Sequence, residues 1–342
     1  MVLELYSWGP GLGLPSIDPL CLTIETYLSL VKADWVVNEC NNPNASPSGE
    51  LPLLRDGTEY IYGVNNIIAY LSKQNLDLNK NLDDNQKAEC LAYSALVNDK
   101  LQDGLLYAWY GDQENFTQVT RPTFAKLLPL ALRYFTPITL RKSALSRIEN
   151  YGLNKEEKKK SQGKKSDIVP EVYEIVRENY RVLSKKLGQQ KYFLGDSPTT
   201  LDSIVFGQLA LHYYPELPNP RLASMLKEEF PNLGEFCERI HNLAFTEPIK
   251  KATSNDTPSP FSGLFGSPIS WLKNNFLIKL TGTKEVEPKT PEQVEFERTR
   301  FLSIFGAAWF MVAFIVYNGI ISIEFVNEEE EEYEEEYYEE LD

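Results

Sequence analysis

Residues 50–71, ELPLLRDGTEYIYGVNNIIAYL, constrain the fold more than any other stretch of this chain. Leu51 to Arg55 is apolar and suits an extended strand. Asp56-Gly57 follows. Glycine takes positive φ without a steric penalty and aspartate tolerates it, so the pair predicts a hairpin turn. Thr58 to Tyr62 reads as the returning strand. Gly63 and Val64 then lead into a helix that buries Ile67, Ile68 and Leu71. Pro52 stands at the head of the first strand, where its missing N–H interrupts a ladder.

The residues before this unit extend the pattern. Val2 to Trp8 reads as a strand with Tyr6 and Ser7 in an alternating pattern, followed by the loop GPGLGLPS. Asp18 can N-cap the next helix with Pro19 at its first position. Leu20, Ile24, Tyr27, Leu28 and Val31 recur at helical spacing, and Trp35 to Cys40 reads as a second strand. The order β-α-β, β-β-α within residues 1–75 is thioredoxin-like. A proline just before a hairpin and helix resembles the thioredoxin-like half of glutathione transferases, where that proline is cis and presents backbone groups to the thiol ligand. The resemblance also shows a departure. Transferases carry an acidic residue and a serine where this chain has Gly63-Val64, and that pair holds the γ-glutamyl group. Glycine and valine offer neither carboxylate nor hydroxyl. The expectation is a kept scaffold, a lost ligand grip and no cofactor.

Asn75 to Asn85 is a polar linker, after which strand signals vanish. Residues 86–250 read as a helical second domain, interrupted by the charged loop KEEKKKSQGKK at 155–165. In YFLGDSPTTLDSIVFGQL, Thr199 can cap a helix while Asp202 reaches back to the cap's backbone N–H. Transferases use a similar F-x-G-x-x-x-T-x-x-D pattern to nucleate a buried helix in their second domain, though a capping box alone is a common device.

The C-terminal third changes character again. Residues 251–300 begin as a Pro/Ser/Thr/Gly-rich linker. Ile269, Leu272, Phe276 and Leu280 share a helical face there, flanked by Trp271, Lys273 and Lys279; this suits a membrane interface, and equally suits packing on the second domain. Phe301 to Ile323 has no charged residue. As a helix it would span roughly 34 Å at about 1.5 Å per residue, enough for a bilayer core of about 30 Å. It predicts a transmembrane helix over 301–323, against the alternative of a buried soluble helix. Lys284, Lys289, Arg298 and Arg300 precede it, which predicts a cytosolic bulk and a tail across the membrane. Residues 324–342 form an acidic tail that cannot pack a core. Ten Glu and one Asp in residues 328–342 carry −11 of the chain's net −15, so the rest is close to neutral. That balance argues against nucleic-acid binding, which needs basic surface. The tail reads either as a solubilising segment or as a landing site for basic amphipathic segments.

Chemistry-bearing residues are few. Cys21, Cys40, Cys90 and Cys237 form no cluster, which favours free thiols in a reducing compartment. His212 and His241 pair with no cysteine at metal-ligand spacing, so no zinc site is expected; His212 reads as structural. The N-terminus has no signal-peptide pattern. In thioredoxin-like enzymes the reactive group lies where the first strand meets the first helix; here Tyr6, Ser7, Ser16 and Cys21 occupy that region. A helix dipole would lower the Cys21 thiol's pKa, but its spacing from Ile24 and Leu28 favours the core. No catalytic set emerges.

The opening SWGPGLGLPSIDPLCLTIETYL completes the picture. With a short loop insertion, Trp8, Gly9, Leu14, Pro15, Ser16, Asp18, Pro19, Cys21, Leu22, Tyr27 and Leu28 fit W-G-x-x-L-P-S-x-D-P-x-C-L-x-x-x-x-Y-L, and the chain resembles the metaxin family. The resemblance implies a glutathione-transferase-like fold and a non-catalytic subunit of the mitochondrial outer-membrane sorting and assembly machinery. Its partners would be a membrane barrel subunit, a second metaxin-type subunit and β-barrel precursors, with the acidic tail in the intermembrane space. Two alternatives stand beside it. One is a tail-anchored glutathione transferase or peroxidase, against which Gly63-Val64 argues. The other is a transferase-like membrane-dynamics protein resembling the ganglioside-induced differentiation-associated family, against which the LPSIDP opening argues.

Overall fold

Strand β1 (Leu3–Ser7) lies in the interior of a four-stranded sheet, with β2 (Trp35–Glu39) on one side and β3 (Leu53–Asp56), then β4 (Glu59–Tyr62), on the other. The computed structural model describes residues 2–41, 46, 51–128, 133–134, 136–148 and 171–252. The charged loop at 155–165, the apolar span 301–323, the acidic tail and all but the first residues of the linker lie outside the described residues. Among the described residues no helix is long and apolar enough to cross a membrane.

The first half follows α1 (Pro19–Leu30), β2 (Trp35–Glu39), β3 (Leu53–Asp56), β4 (Glu59–Tyr62) and α2 (Val64–Lys73). β1 pairs parallel with β2, bringing Leu5 beside Val37, and antiparallel with β3, bringing Leu5 beside Leu54. Gly57 at φ 59° closes the β3–β4 hairpin. Side chains alternate across a strand, so one sheet face gathers Leu3, Leu5, Trp35, Val37 and Leu54. They pack on Ile24, Tyr27 and Leu28 of α1 and on Ile67 and Leu71 of α2. Ile68 packs at the margin. Each fully buried aliphatic side chain there contributes roughly 1.5–3 kcal/mol. The other face is polar around Glu4, which pairs with Arg55 at 3.1 Å and accepts from Asn38 at 3.2 Å. β1 is therefore buried along its whole length. The alternation read from the sequence holds for polarity, not for exposure, because β1 has strands on both sides.

Asp18 caps α1 by accepting from the backbone N–H groups of Leu20 and Cys21 at 3.0 and 2.9 Å. The polar stretch after α2 is stitched to α1: Tyr27 donates its hydroxyl to the Leu76 carbonyl at 2.9 Å.

The second half starts with α3 (Asp84–Leu96), whose capping box pairs Asp83 with Gln86. The helical run continues to Gly111, with α4 (Gln102–Leu106) between the π-helical stretches Val97–Leu101 and Tyr107–Gly111. Next come α5 (Gln113–Asn115), a third π-helical stretch at Phe116–Thr120, α6 (Arg121–Leu127), α7 (Thr136–Ile148) and α8 (Glu171–Leu187). α9 (Thr200–Tyr213) is buried from Thr200 through His212 and packs lengthwise on α1. A helix apolar on nearly every face belongs at the centre of a bundle. α10 (Arg221–Glu228) and α11 (Pro231–Ala244) close the half. His212 lies 2.6 Å from the Tyr180 hydroxyl; burial lowers its pKa to about 3, so it stays neutral and structural.

After α11 the chain returns to the first half. The Val37 N–H donates to the Lys250 carbonyl and the Ala252 N–H donates to the Val37 carbonyl, both at 2.9 Å. Lys251 reaches Glu39 at 2.5 Å. Lys251 and Ala252, at the head of the stretch read as linker, thus lie against the outer edge of β2.

Candidate functional site

The place to look for chemistry is the junction of β1 and α1, where both halves of the chain meet. Tyr6 is 2 % exposed, and Ser7, Ser16 and Cys21 are fully buried. Burial pushes the Tyr6 phenol up to about 12, with Glu4 adding to the effect. The Cys21 thiol is held well above its ordinary value, first by burial and then by Asp18. A helix N-terminus lowers a thiol pKa when water reaches the sulfur; inside the core, desolvation outweighs the dipole. Cys21 belongs to the packing, not to the chemistry.

Ser7 has a partner that sequence reading missed. Its Oγ lies 2.5 Å from Oε1 of Glu25 and 3.1 Å from the Trp8 carbonyl oxygen. Glu25 is 1 % exposed, and burial raises its carboxyl from 4.5 to about 8. In sequence, a glutamate in the middle of an amphipathic helix reads as surface. Only its neighbours Ile24, Thr26 and Tyr27, apolar or small on every side, hinted that α1 is buried all round.

The ligand-facing elements of a transferase are present in outline. The Leu51–Pro52 peptide is cis. Gly63 is the N-cap of α2 at φ 82°, with no side-chain cap, and Val64 opens the helix. Asn66 instead donates to the Tyr62 carbonyl at 3.0 Å. The helix start where a γ-glutamyl carboxylate would be held therefore carries no side-chain hydroxyl or carboxylate at residues 63 and 64.

Beside the junction runs a groove of about 270 Å3 between the β1–α1 loop and helices α4 and α7. Trp8, Trp109, Tyr110 and Phe124 line it, with Asp18 and Arg147. Arg147 donates to Asp103 at 2.7 Å and lies 3.6 Å from Asp99. The Trp109-Tyr110 pair was the available sequence signal; nothing in the sequence placed it opposite Trp8.

Asp202 organises the start of α9. It accepts from the backbone N–H of Phe193 at 2.9 Å, the backbone N–H of Thr199 at 2.8 Å and the Thr199 hydroxyl at 2.7 Å. One buried carboxylate thereby ties the preceding loop to the helix. Among the described residues no group of His, Cys, Asp or Glu is arranged to hold a metal ion.

Residues 176–240 match the glutathione S-transferase C-terminal domain, and residues 21–141 match a family described as outer mitochondrial membrane transport complex protein. Metaxin-1 of Mus musculus is 31% identical over 324 residues, which are 94% of this chain and 92% of that protein. The chain belongs to the metaxin family. Metaxin-3 of Xenopus laevis is 32% identical over 251 residues, 71% of this chain and 77% of that protein. The metaxin-1 homolog of Caenorhabditis briggsae is 29% identical over 338 residues and covers 96% of this chain, so the metaxin match continues past the described fold. A glutathione transferase from Phanerochaete chrysosporium aligns at 12% identity with a TM-score of 0.49, covering 72% of this chain and 99% of that one. The transferase-like fold of this metaxin-family chain rests on its strand order and on the match at 176–240.

Proposed function

We propose that this metaxin-family chain is a non-catalytic subunit of the sorting and assembly machinery of the mitochondrial outer membrane, supporting insertion and release of β-barrel precursors. The observation that carries the reading is the start of α2: a transferase-like scaffold with Gly63 and Val64 where the ligand grip would be. The burial of Tyr6, Ser7, Ser16 and Cys21 supports it, since none offers a reactive atom to solvent. The match of residues 21–141 to outer mitochondrial membrane transport complex proteins supports the location. The proposal includes a transmembrane helix at 301–323, residues 1 to about 300 in the cytosol and the acidic tail in the intermembrane space. A membrane barrel subunit and a second metaxin-type subunit are the proposed partners, and no cofactor is needed.

The test is purification of the tagged full chain from mitochondria in mild detergent, with identification of what stays bound. A stoichiometric outer-membrane barrel and a second transferase-like subunit are expected. A lone chain, above all one eluting with glutathione, would overturn the reading in favour of a transferase.

A further inference from the structure

Residues 115–148 hold six Lys and Arg and no Asp or Glu, in a chain whose net charge is −15. A one-signed stretch in an otherwise acidic chain is a charge asymmetry that points to a partner of opposite sign. Two of the six cations are committed within the fold. Arg147 pairs with Asp103 at 2.7 Å and Asp99 at 3.6 Å. Arg141 donates to the Tyr110 carbonyl and to Gln113, and its guanidinium lies 4.4 Å from the centre of the Phe116 ring. Arg121, Lys126, Arg133 and Lys142 are exposed and make no ion pair among the described residues.

Three of these four frame the turn between α6 and α7. Lys126 stands in the last turn of α6. Arg133 donates from Nε to the Leu128 carbonyl at 2.8 Å, which holds the far side of the turn against the end of α6. Lys142 lies four residues beyond Ile138 on α7, and residues four apart share a helix face. Between Arg133 and Lys142 two large apolar side chains face solvent: Tyr134 is 62 % exposed and Ile138 56 %. A single exposed apolar residue needs no explanation. A tyrosine and an isoleucine framed by three uncommitted cations is a different pattern. Tyrosine suits a bilayer interface because its ring is apolar and its hydroxyl stays wet. Lysine and arginine lay their stems along apolar surface and keep their charged heads among polar groups.

We propose that the α6–α7 turn seats the folded body on an anionic lipid surface, with Tyr134 and Ile138 entering the headgroup layer and Lys126, Arg133 and Lys142 meeting lipid phosphates. A soluble polyanion would use the cations and leave Tyr134 and Ile138 in water. A bilayer uses both, because interfacial binding grows with buried apolar area and with attraction to anionic lipid. Each basic residue near such a surface raises partitioning roughly fivefold. The contact is separate from the transmembrane helix proposed at 301–323: it belongs to the folded body and needs no apolar span.

The test reconstitutes the full-length chain into phosphatidylcholine vesicles with and without phosphatidylserine and follows amide hydrogen exchange along the chain. Exchange over residues 134–139 should slow at least tenfold when phosphatidylserine is present. About 1 M salt, which screens charges beyond about 3 Å, should reverse the slowing. The segment around Leu91 on α3, exposed and distant in sequence, should not change. Lys126→Gln with Lys142→Gln should abolish the slowing, and so should Tyr134→Ser with Ile138→Ser, each with an unchanged unfolding midpoint. Arg133 is left in place because it holds the turn. Slowing that is equal in the two vesicles, that extends equally to the Leu91 segment, or that survives both pairs of substitutions overturns the proposal. So does the same slowing by polyuridylate or polyglutamate in place of the lipid, which would assign the turn to a soluble polyanion. Alkaline extraction of the same vesicles tests the anchor separately. A chain that is extracted yet shows the slowing loses only the anchor; one that resists extraction without the slowing loses only this contact.

Discussion

Ser7 and Glu25 meet at 2.5 Å inside the core, with Glu25 only 1 % exposed. The Ser7 oxygen is also 3.1 Å from the Trp8 carbonyl. A serine hydroxyl has one proton and cannot serve two acceptors. The arrangement balances when Glu25 is protonated: it donates to Ser7, and Ser7 donates to Trp8. Burial, the largest influence, raises Glu25 to about 8, against the opposing effect of Ser7, with Asp18 and Glu39 adding to the rise.

The consequence for stability has a definite sign. The folded state holds this proton more tightly than the unfolded chain, whose carboxyl titrates near 4.5. Stability from the neutral carboxyl is full below about 4.5 and is lost as pH rises through about 8. Glu25→Gln keeps a neutral donor to Ser7. Its unfolding midpoint should match the parent's at pH 5 and exceed it at pH 8.5. A difference that does not change between those two pH values would show that Glu25 is not protonated in the fold.

Gly207 sets how closely α9 approaches α1. A Cβ there would fall against the Thr23 hydroxyl and stand 2.7 Å from the Pro19 carbonyl oxygen. Thr23 is held in place because it donates to that same carbonyl at 2.8 Å. Gly207→Ala should cost about 1–3 kcal/mol, the range for an overpacked core. Adding Thr23→Ala should restore only part, since the backbone oxygen stays. Denaturant melts of the single and double variants measure this, and full recovery in the double variant would assign the whole clash to Thr23.

Asp202→Ala removes the acceptor of three buried donors at once. Buried donors left unpaired cost roughly 1–3 kcal/mol each before relaxation, so a loss of about 3 kcal/mol or more is expected. Thr199→Val, which removes one of the three, should cost about 1 kcal/mol. Equal losses in the two variants would mean that Asp202 serves only the cap and not the loop at Phe193.

Restoring a transferase-like pair at the head of α2 should fail on the backbone. Gly63 stands at φ 82°, where an L side chain is strained by roughly 1–2 kcal/mol. Gly63→Asp with Val64→Ser should lower the unfolding midpoint and give no retention on glutathione resin. Retention by the double variant would show that the two side chains were all the site lacked.

Local chemistry was legible in the sequence wherever a short motif carried it. Asp18-Pro19 announced α1, Asp56-Gly57 announced the hairpin, and the spacing of Thr199 and Asp202 announced α9. What stayed hidden depends on distant partners. Asn79 accepts from the Thr200 N–H at 3.0 Å, and Asn115 accepts from the Asn219 N–H at 2.8 Å; Asn79 read as part of a polar linker and Asn115 only as one residue of a helical domain. Nothing in the sequence marks Glu25 as buried, because periodicity cannot show a helix covered on all sides. The π-helical stretches have no compositional signature, since they are set by what packs around them. The groove was invisible for the same reason: Trp8 and Phe124 are adjacent only once both halves have folded.

The return of residues 250–252 to β2 is where the described chain leaves the folded body. A pull on whatever follows Ala252 arrives first at Val37, on the rim strand, and meets two backbone hydrogen bonds before any helix bears load. The sheet would be tugged from the β2 side, the end of the strand order opposite β4. A tether placed there acts as a hinge pin at the sheet's rim rather than a rope through the core.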